Sequence, residues 1–486
     1  MKRAETRLRS ALLASSCLLA LAGPAAASDP LATVDAYAPR LSQVAGQIWS
    51  KAELGYQETA TSQLLQQELK SAGFQVQANV AGMPTAFVAR YSAHGGGPVI
   101  AILAEMDALP GVSQAAVPQH QPIAGKDAGH ACGHNLFGAG SVAAARAVKQ
   151  WLDDSGRPGE VRVYGAPAEE GGSGKVFLVK AGLFNDVDVV LHWHPADRNS
   201  AAQSTALANI SGKFRFHGIA AHAAAAPERG RSALDGVEAL DMMANMMREH
   251  IPQDTRIHYA ITDGGKAPNV VPAEAEVYYY VRHVDPMVVK EVMARLQKAA
   301  EGAALGTGTT VEFEQVGGTY NLLPNDVLGR VMDADLRSVG GVRYSATDTS
   351  FAETLRKTFA NPPPLAGAAE IAPYTVDEVM YGSTDVGDVS WVVPTAGLAT
   401  ATWVPGTAAH SWQAVAASGN DIGYQGAAVA AKVLALTATK LFADPALIAS
   451  ARAEFERRRG ADFKYQPLLN RDAPALDYRR LGGRSD

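Results

Sequence analysis

The run His130-Ala131-Cys132-Gly133-His134-Asn135 places a thiol and an imidazole two residues apart among small residues. In an extended or tightly turned segment, alternate side chains point the same way, so Cys132 and His134 can face one ion together. Gly133 gives the backbone room to bend between them. Zinc accepts a thiolate and an imidazole readily. A buried, inert cysteine beside a core histidine is the ordinary alternative, and the clusters downstream weigh against it. Pro167-Ala168-Glu169-Glu170-Gly171-Gly172 sets two adjacent carboxylates at the end of an apolar run. If one binds a cation, its neighbour stays free to move a proton, which suits general-base chemistry on a cation-activated water. His192-Trp193-His194-Pro195 and Ala409-His410-Ser411 add imidazoles, and Glu105-Met106-Asp107 adds carboxylates. His192 and His194 compete for one role, because strand alternation sends both to the same side. A cysteine hydrolase using Cys132 with a histidine is a rival chemistry, but no orienting Asn or Asp pattern accompanies it.

These groups must be positioned by several separate elements. Helices are expected at 37–51, 58–72 and 138–152, and strands at 74–80, 85–91, 98–104, 160–166 and 187–191. The run 98–104 is continuously apolar, as for a strand buried on both faces, and delivers Glu105 and Asp107 at its C-terminal end. The pattern then changes to strand 204–217, helix 232–249, strand 255–263, strand 275–281, helix 288–305 and strand 309–315. That is the split βαβ order of a small α+β domain, placed at 206–318. Met242, Met243, Met246 and Met247 form a stripe on its first helix and read as core packing. The first domain resumes at 319–443 with helix 325–340, strand 397–404 and helix 423–442, and a charged extension follows at 444–486. Arg457-Arg458-Arg459 in that extension reads as a solvated helix face.

A formal net charge of -6 and a pI near 6.1 argue against nucleic-acid binding. No internal run reads as long and apolar enough to span a bilayer. Residues 1–27 have a basic start, a short apolar centre and an A-x-A end, the pattern of an export signal cleaved after Ala27. The expected location is therefore periplasmic or secreted. Cys17 lies in that leader, which leaves Cys132 alone, without a disulfide partner and best protected by metal ligation.

The motifs E-M-D-A-L-P at 105–110, H-A-C-G-H-N at 130–135, P-A-E-E-G-G at 167–172, H-P at 194–195, G-I-A-A-H-A-A-A-A-P at 218–227, N-V-V-P at 269–272, G-S-T-D-V at 382–386 and A-H-S at 409–411 occur in one order. As a set, running from Trp49 to about Phe442, they resemble the dinuclear-metal aminoacylase and carboxypeptidase family, peptidase family M-twenty. The nearest branch holds hippurate, auxin-conjugate and aminobenzoyl-glutamate hydrolases. The resemblance implies a mostly parallel α/β catalytic domain, 28–205 and 319–443, with an inserted ferredoxin-like lid that pairs subunits into a homodimer or larger homo-oligomer. It implies Cys132, His134, Glu170, His194 and His410 as ligands of two divalent ions, with zinc as the default and manganese or cobalt as alternatives. The His-Pro order favours His194 over His192. It implies Glu169 as general base, Asp107 as the carboxylate that orients an inner ligand, and His222 as a residue that reaches a neighbouring subunit's site to steady an oxyanion. Asn269 and Arg282 fall near the carboxylate of an N-acyl amino acid or dipeptide substrate. A catalytically silent, metal-stabilised binding protein of the same fold is the other reading. The chain departs from many relatives at three positions: Asn135 replaces an Asp, Phe137 a His, and Glu105 a His.

Overall fold

A computed structural model describes residues 27–479. Apart from Ala27, the expected export signal, including Cys17, lies outside the described residues. The chain opens with α1 (Pro30–Lys51) and α2 (Thr59–Ser71), then β1 (Gln75–Ala78), β2 (Phe87–Ala93) and β3 (Val99–Glu105). α3 (His134–Ser155), β4 (Gly159–Ala166), α4 (Gly174–Lys180) and β5 (Val189–Ala196) follow. Asp29 caps α1 by accepting from the Leu31 N–H, with Pro30 pre-set for the first turn. The strands, joined by β12 (Thr395–Ala401), form a six-stranded sheet in the order β1-β2-β4-β3-β5-β12. Its core β4, β3, β5 and β12 is parallel, and β1 and β2 extend it antiparallel. Ile100 to Ala104 of central β3 are fully buried, which accounts for the unbroken apolar run. This is the mostly parallel α/β sheet flanked by helices that the sequence led us to expect.

Several boundaries differ from expectation, and two bear on the site. α3 begins at His134 rather than at 138, so the Cys-x-His motif forms a turn that enters a helix rather than an extended segment. β5 runs on to Ala196 and carries both His192 and His194 within the strand. The strand expected at 74–80 stops at Ala78, because Asn79 turns into the left-handed region at φ +56°.

After the short β6 (Gln203–Thr205), the chain enters a second unit: β7 (Ala208–His217), α5 (Ala233–Met247), β8 (Arg256–Asp263), β9 (Glu274–His283), α6 (Pro286–Thr307) and β10 (Thr310–Thr319). The strands form an antiparallel sheet in the order β10-β7-β9-β8. α5 and α6 pack on it around Phe214, Phe216, Val237, Val277 and Leu296. The methionine stripe on α5 is not core. Met242 and Met246 are 61% and 64% exposed, and only Met247 packs against the cluster, because α5 turns Val237, Leu240 and Ala244 inward instead.

The first unit then resumes with α7 (Asp326–Val339), α8 (Ala346–Arg356), β11 (Val376–Val379), α9 (Val386–Ser390), β12, α10 (Trp412–Ser418), α11 (Asp421–Ala443) and α12 (Pro445–Arg459). α11 is long and apolar enough to cross a membrane by length and composition, contrary to the sequence reading, but 67% of its apolar window is buried against the core. It packs on α1 and α3. Of the arginine triplet, Arg458 pairs with Glu454 and Asp377, and Arg459 lies over the Phe455 ring.

Candidate metal centre and active site

The site forms at the C-terminal ends of β3, β4 and β5, where an open parallel sheet leaves its crevice. Gly133, at φ +75°, turns the chain into α3, and a Cβ there would meet Pro195 at 2.7 Å. Cys132 therefore sits against the end of β5. Its Sγ lies 3.5 Å from His194 Nε2, and Cys132, His134 and His194 bring their donor atoms within 4.8 Å of one another. His192 packs elsewhere, against Gly397 of β12. Two residues along a strand is roughly 6.6 Å, so only the histidine nearer the strand end reaches the cluster.

Cys132, Glu170 and His410 form a second group within the same limit, with His410 Nε2 3.2 Å from Glu170 Oε1. The His410 N–H donates to Ala131 O at 3.0 Å, tying its loop to the cysteine turn, and His410 itself is held at φ +61°. Glu105, His134 and Glu169 make a third group. The three groups share Cys132 and His134, so one continuous constellation brings together Cys132, His134, Glu169, Glu170, His194 and His410.

Asp107 stands behind it. Its carboxylate meets His134 Nδ1 at 2.9 Å and accepts from the Glu170 N–H at 2.9 Å, orienting the His134 ring and the Glu169–Glu170 loop together. Burial alone would raise Asp107, but His134 and these hydrogen bonds hold it down at about 2. Burial pushes Glu169 well above the usual carboxylate range, and Glu105, Glu170 and Asp385 add to the shift against Lys175. Burial also pushes the Cys132 thiol up. For His134 burial acts downward, but Cys132, Glu105 and Asp107 outweigh it and hold the imidazole well above its ordinary value.

A cluster this negative stabilises a cation. His134 Nε2 and Glu105 Oε2 lie 3.0 Å apart, yet both are buried without an aligned hydrogen bond, and Glu170 Oε1 is in the same condition. Orphaned buried donors that converge from the end of β3, the start of α3 and the loop after β4 fit a metal, since each orphan otherwise costs about 1–3 kcal/mol. Thiolate, imidazole and carboxylate together suit a borderline divalent ion.

The three departures find physical accounts here. Asn135 donates to Ala45 O at 3.2 Å and to Ser418 O at 2.9 Å, two bonds that a carboxylate cannot make. Phe137 walls the site, edge-on to His134 at 6.3 Å and to His194 at 6.1 Å. Glu105 is paired with a lysine that sequence reasoning missed. Lys175 is fully buried and bonds Glu105 at 2.6 Å and Asp385 at 2.5 Å. Lys175 only precedes the apolar run Val176–Val179, and nothing local to it marks the pairing.

Arg282 lines a cavity of about 430 Å³ with Leu207, Arg256, His258, Tyr280 and Tyr381. Arg282 donates to Ser383 Oγ at 3.4 Å. The hydrogen bond with Glu170 raises the His410 imidazole against burial, and Arg282 is among the weaker opposing charges. Arg256 lies directly across from Arg282 on the neighbouring strand. Among the described residues, Arg256 bonds the Gln253 and Thr255 carbonyls and Arg282 bonds Ser383, and neither has a carboxylate partner. Arg256 was not anticipated, since only strand register reveals that it faces Arg282. His222 and Asn269 are not brought to the cluster. Both are exposed on adjoining loops of the inserted unit, where the Ala223 N–H donates to Asn269 O at 3.0 Å. His222 Nδ1 accepts from the Ala224 and Ala225 N–H groups.

Comparison with known proteins agrees with this architecture. Residues 208–307 match the peptidase dimerisation domain family. The chain is 41% identical over 453 residues to one of the subunits of the p-aminobenzoyl-glutamate hydrolase of Escherichia coli, covering 87% of this chain and 93% of that one. It is 32% identical to the Xaa-Arg dipeptidase of Mus musculus, over 87% of this chain and 90% of that one. Among solved structures, an aminobenzoyl-glutamate utilization protein of Klebsiella pneumoniae superposes with a TM-score of 0.58 at 20% identity, covering 82% and 96%. A dinuclear metal-binding peptidase of Bacillus subtilis does so at 0.54 and 18%, covering 84% and 99%. These two show the shared fold.

Proposed function

The chain belongs to the dinuclear-metal aminoacylase and carboxypeptidase family, and on that footing we propose that it is a metallo-amidohydrolase releasing an acidic amino acid from an N-acyl or N-aroyl conjugate. Cys132, His134, Glu170, His194 and His410 would hold two divalent ions, zinc by the softness of the donor set. Bound there, such ions lower the pKa of water and polarise the amide carbonyl. Glu169, raised by burial, would take the proton from water and hand it to the leaving amine nitrogen. Asp107 fixes the His134 ring and the Glu170 backbone. Phe137 and Trp193 keep bulk water from the inner side of the cluster.

The observation that carries the substrate assignment is the pair of arginines without a carboxylate partner that line one cavity. One guanidinium binds the free α-carboxylate bidentately, and two across adjacent strands, with His258, suit a second carboxylate such as that of glutamate. Tyr280 and Tyr381 offer aromatic faces. A leaving arginine would instead meet like charge here. The test is kcat/KM for aminobenzoyl-glutamate, N-benzoylglycine and an arginine dipeptide. We expect the glutamate conjugate to lead, and Arg256→Ala to erase its advantage over the glycine conjugate. Preference for the arginine dipeptide would overturn the assignment. Glu169→Gln should cost about 10²–10⁴-fold in kcat.

Export forms part of this proposal, and a mature N-terminus at Ser28 is the result that would bear on it. The 208–319 unit is taken as the lid and subunit-pairing domain.

A further inference from the structure

The loop that presents Glu169 and Glu170 is unusually contorted. Ala168, Gly171 and Ser173 all have positive φ, at +56°, +111° and +59°. Non-glycine residues there each cost about 1 kcal/mol or more, so the loop persists only where its surroundings hold it. Three anchors come from the first third of the chain. The Ala168 N–H donates to Glu58 at 2.8 Å, Tyr56 OH donates to Gly172 O at 2.6 Å, and the Glu170 N–H donates to Asp107.

The Glu170 carbonyl is held differently. Tyr478 OH donates to it at 3.3 Å, and the Arg479 guanidinium donates to it as well. Tyr478 packs edge-on against Tyr56 at 5.7 Å, and its hydroxyl occupies the place that a Cβ on Gly55 would fill. The segment reaches this point along both units. Phe463 packs tilted against Trp391 at 4.6 Å, Tyr465 OH donates to Asp388, Leu468 enters the core of the inserted unit, and Leu469 enters that of the first. Arg471 then pairs with Glu314 at 2.8 Å.

We propose that Tyr478 and Arg479 are positioning residues for the catalytic carboxylates. By gripping the Glu170 carbonyl they fix the Glu170–Gly171 peptide plane, and with it the directions of the Glu170 ligand and the Glu169 base. Without them that plane is held only by the Gly171 N–H, which donates to Glu169 O at 2.6 Å, and glycine gives it freedom to tilt. The proposal rests on the roles given above to Glu169 and Glu170.

The test uses the full-length protein with Arg479→Ala and Tyr478→Phe. Zinc affinity of the apo protein is measured by competition with a chromophoric chelator. Alongside it go kcat and KM for the aroyl-glutamate, rescue of the Arg479→Ala variant by guanidinium ion, and the melting temperature. We expect Arg479→Ala to weaken zinc binding about 10- to 100-fold, as loss of a group behind a metal ligand does. It should lower kcat with little change in KM and be partly rescued by guanidinium. Tyr478→Phe, which removes one oxygen and no packing, should shift the same quantities less. Wild-type zinc affinity and kcat in both variants would overturn the proposal, and so would losses that follow the melting temperature alone and resist guanidinium. Failure of the wild-type protein to hydrolyse any N-acyl amino acid would sink the proposed function, while the zinc measurement would still decide this one.

Discussion

Asn135 shows how one atom can be decisive beside a metal cluster. Its amide nitrogen donates to two buried carbonyls, one on α1 and one at the end of α10, so it ties the start of α3 to both helices. Aspartate would point a carboxylate at two carbonyl oxygens in a site with no accessible surface. The ion would have to neutralise itself or break both bonds. We expect Asn135→Asp to cost about 2–5 kcal/mol and to lower the melting temperature of the apo protein, more at pH 8 than at pH 5. Equal melting temperatures for variant and wild type at both pH values would show that the two bonds contribute nothing.

Among the elements, α4 and α9 meet through Lys175, which joins helix to helix and both to the end of β3. Removing a buried cation from two carboxylates is worse than never having had the triad. Lys175→Met should therefore destabilise by about 3–5 kcal/mol, and adding Asp385→Asn should recover part of that. Thermal unfolding of the single and double variants measures both. Asp388, on the same short helix, gives a pH signature. Burial pushes its carboxyl up to about 7, against bonds from Tyr465 and the Tyr320 N–H. Because the folded value lies above the unfolded one near 3.9, the folded state binds the extra proton. Its contribution is most favourable below pH 4 and is lost as pH rises to 7. The stability advantage of wild type over Asp388→Asn should shrink across that window. These buried charges also mark the limit of what the sequence disclosed. The parallel sheet was legible from the unbroken apolar run of β3, and the Cys-x-His and Glu-Glu motifs from their spacing. Lys175 was not, because a lysine bonded 210 residues away to Asp385 leaves no local pattern. The end of β5 was misjudged for a related reason: His192 to Pro195 look polar and loop-like until sheet register places them in a strand.

For the whole protein, the inserted unit presents an apolar face to solvent. Met242, Met246 and Ile261 are 61%, 64% and 45% exposed, on α5 and on β8, which is the open edge of its sheet. A free edge strand beside an apolar helix invites a second copy in an isologous pairing. Such a pairing would account for His222 and Asn269, which stand exposed on this same unit and not at the metal cluster of their own chain. If His222 serves the neighbouring site, Glu169→Gln and His222→Ala are defects in opposite halves of a composite centre. Each homodimer is then crippled. Unfolding and refolding the two variants together at equal amounts makes half the molecules mixed, and each mixed dimer rebuilds one intact site from the Glu169 of one subunit and the His222 of the other. Activity should return to about a quarter of wild type, the fraction that a two-fold pairing dictates. Activity no higher than the average of the two parents would place His222 outside the reaction. Light scattering on a Met242→Glu, Met246→Glu variant checks the surface itself, with the expected result a monomer whose kcat has fallen with its partner.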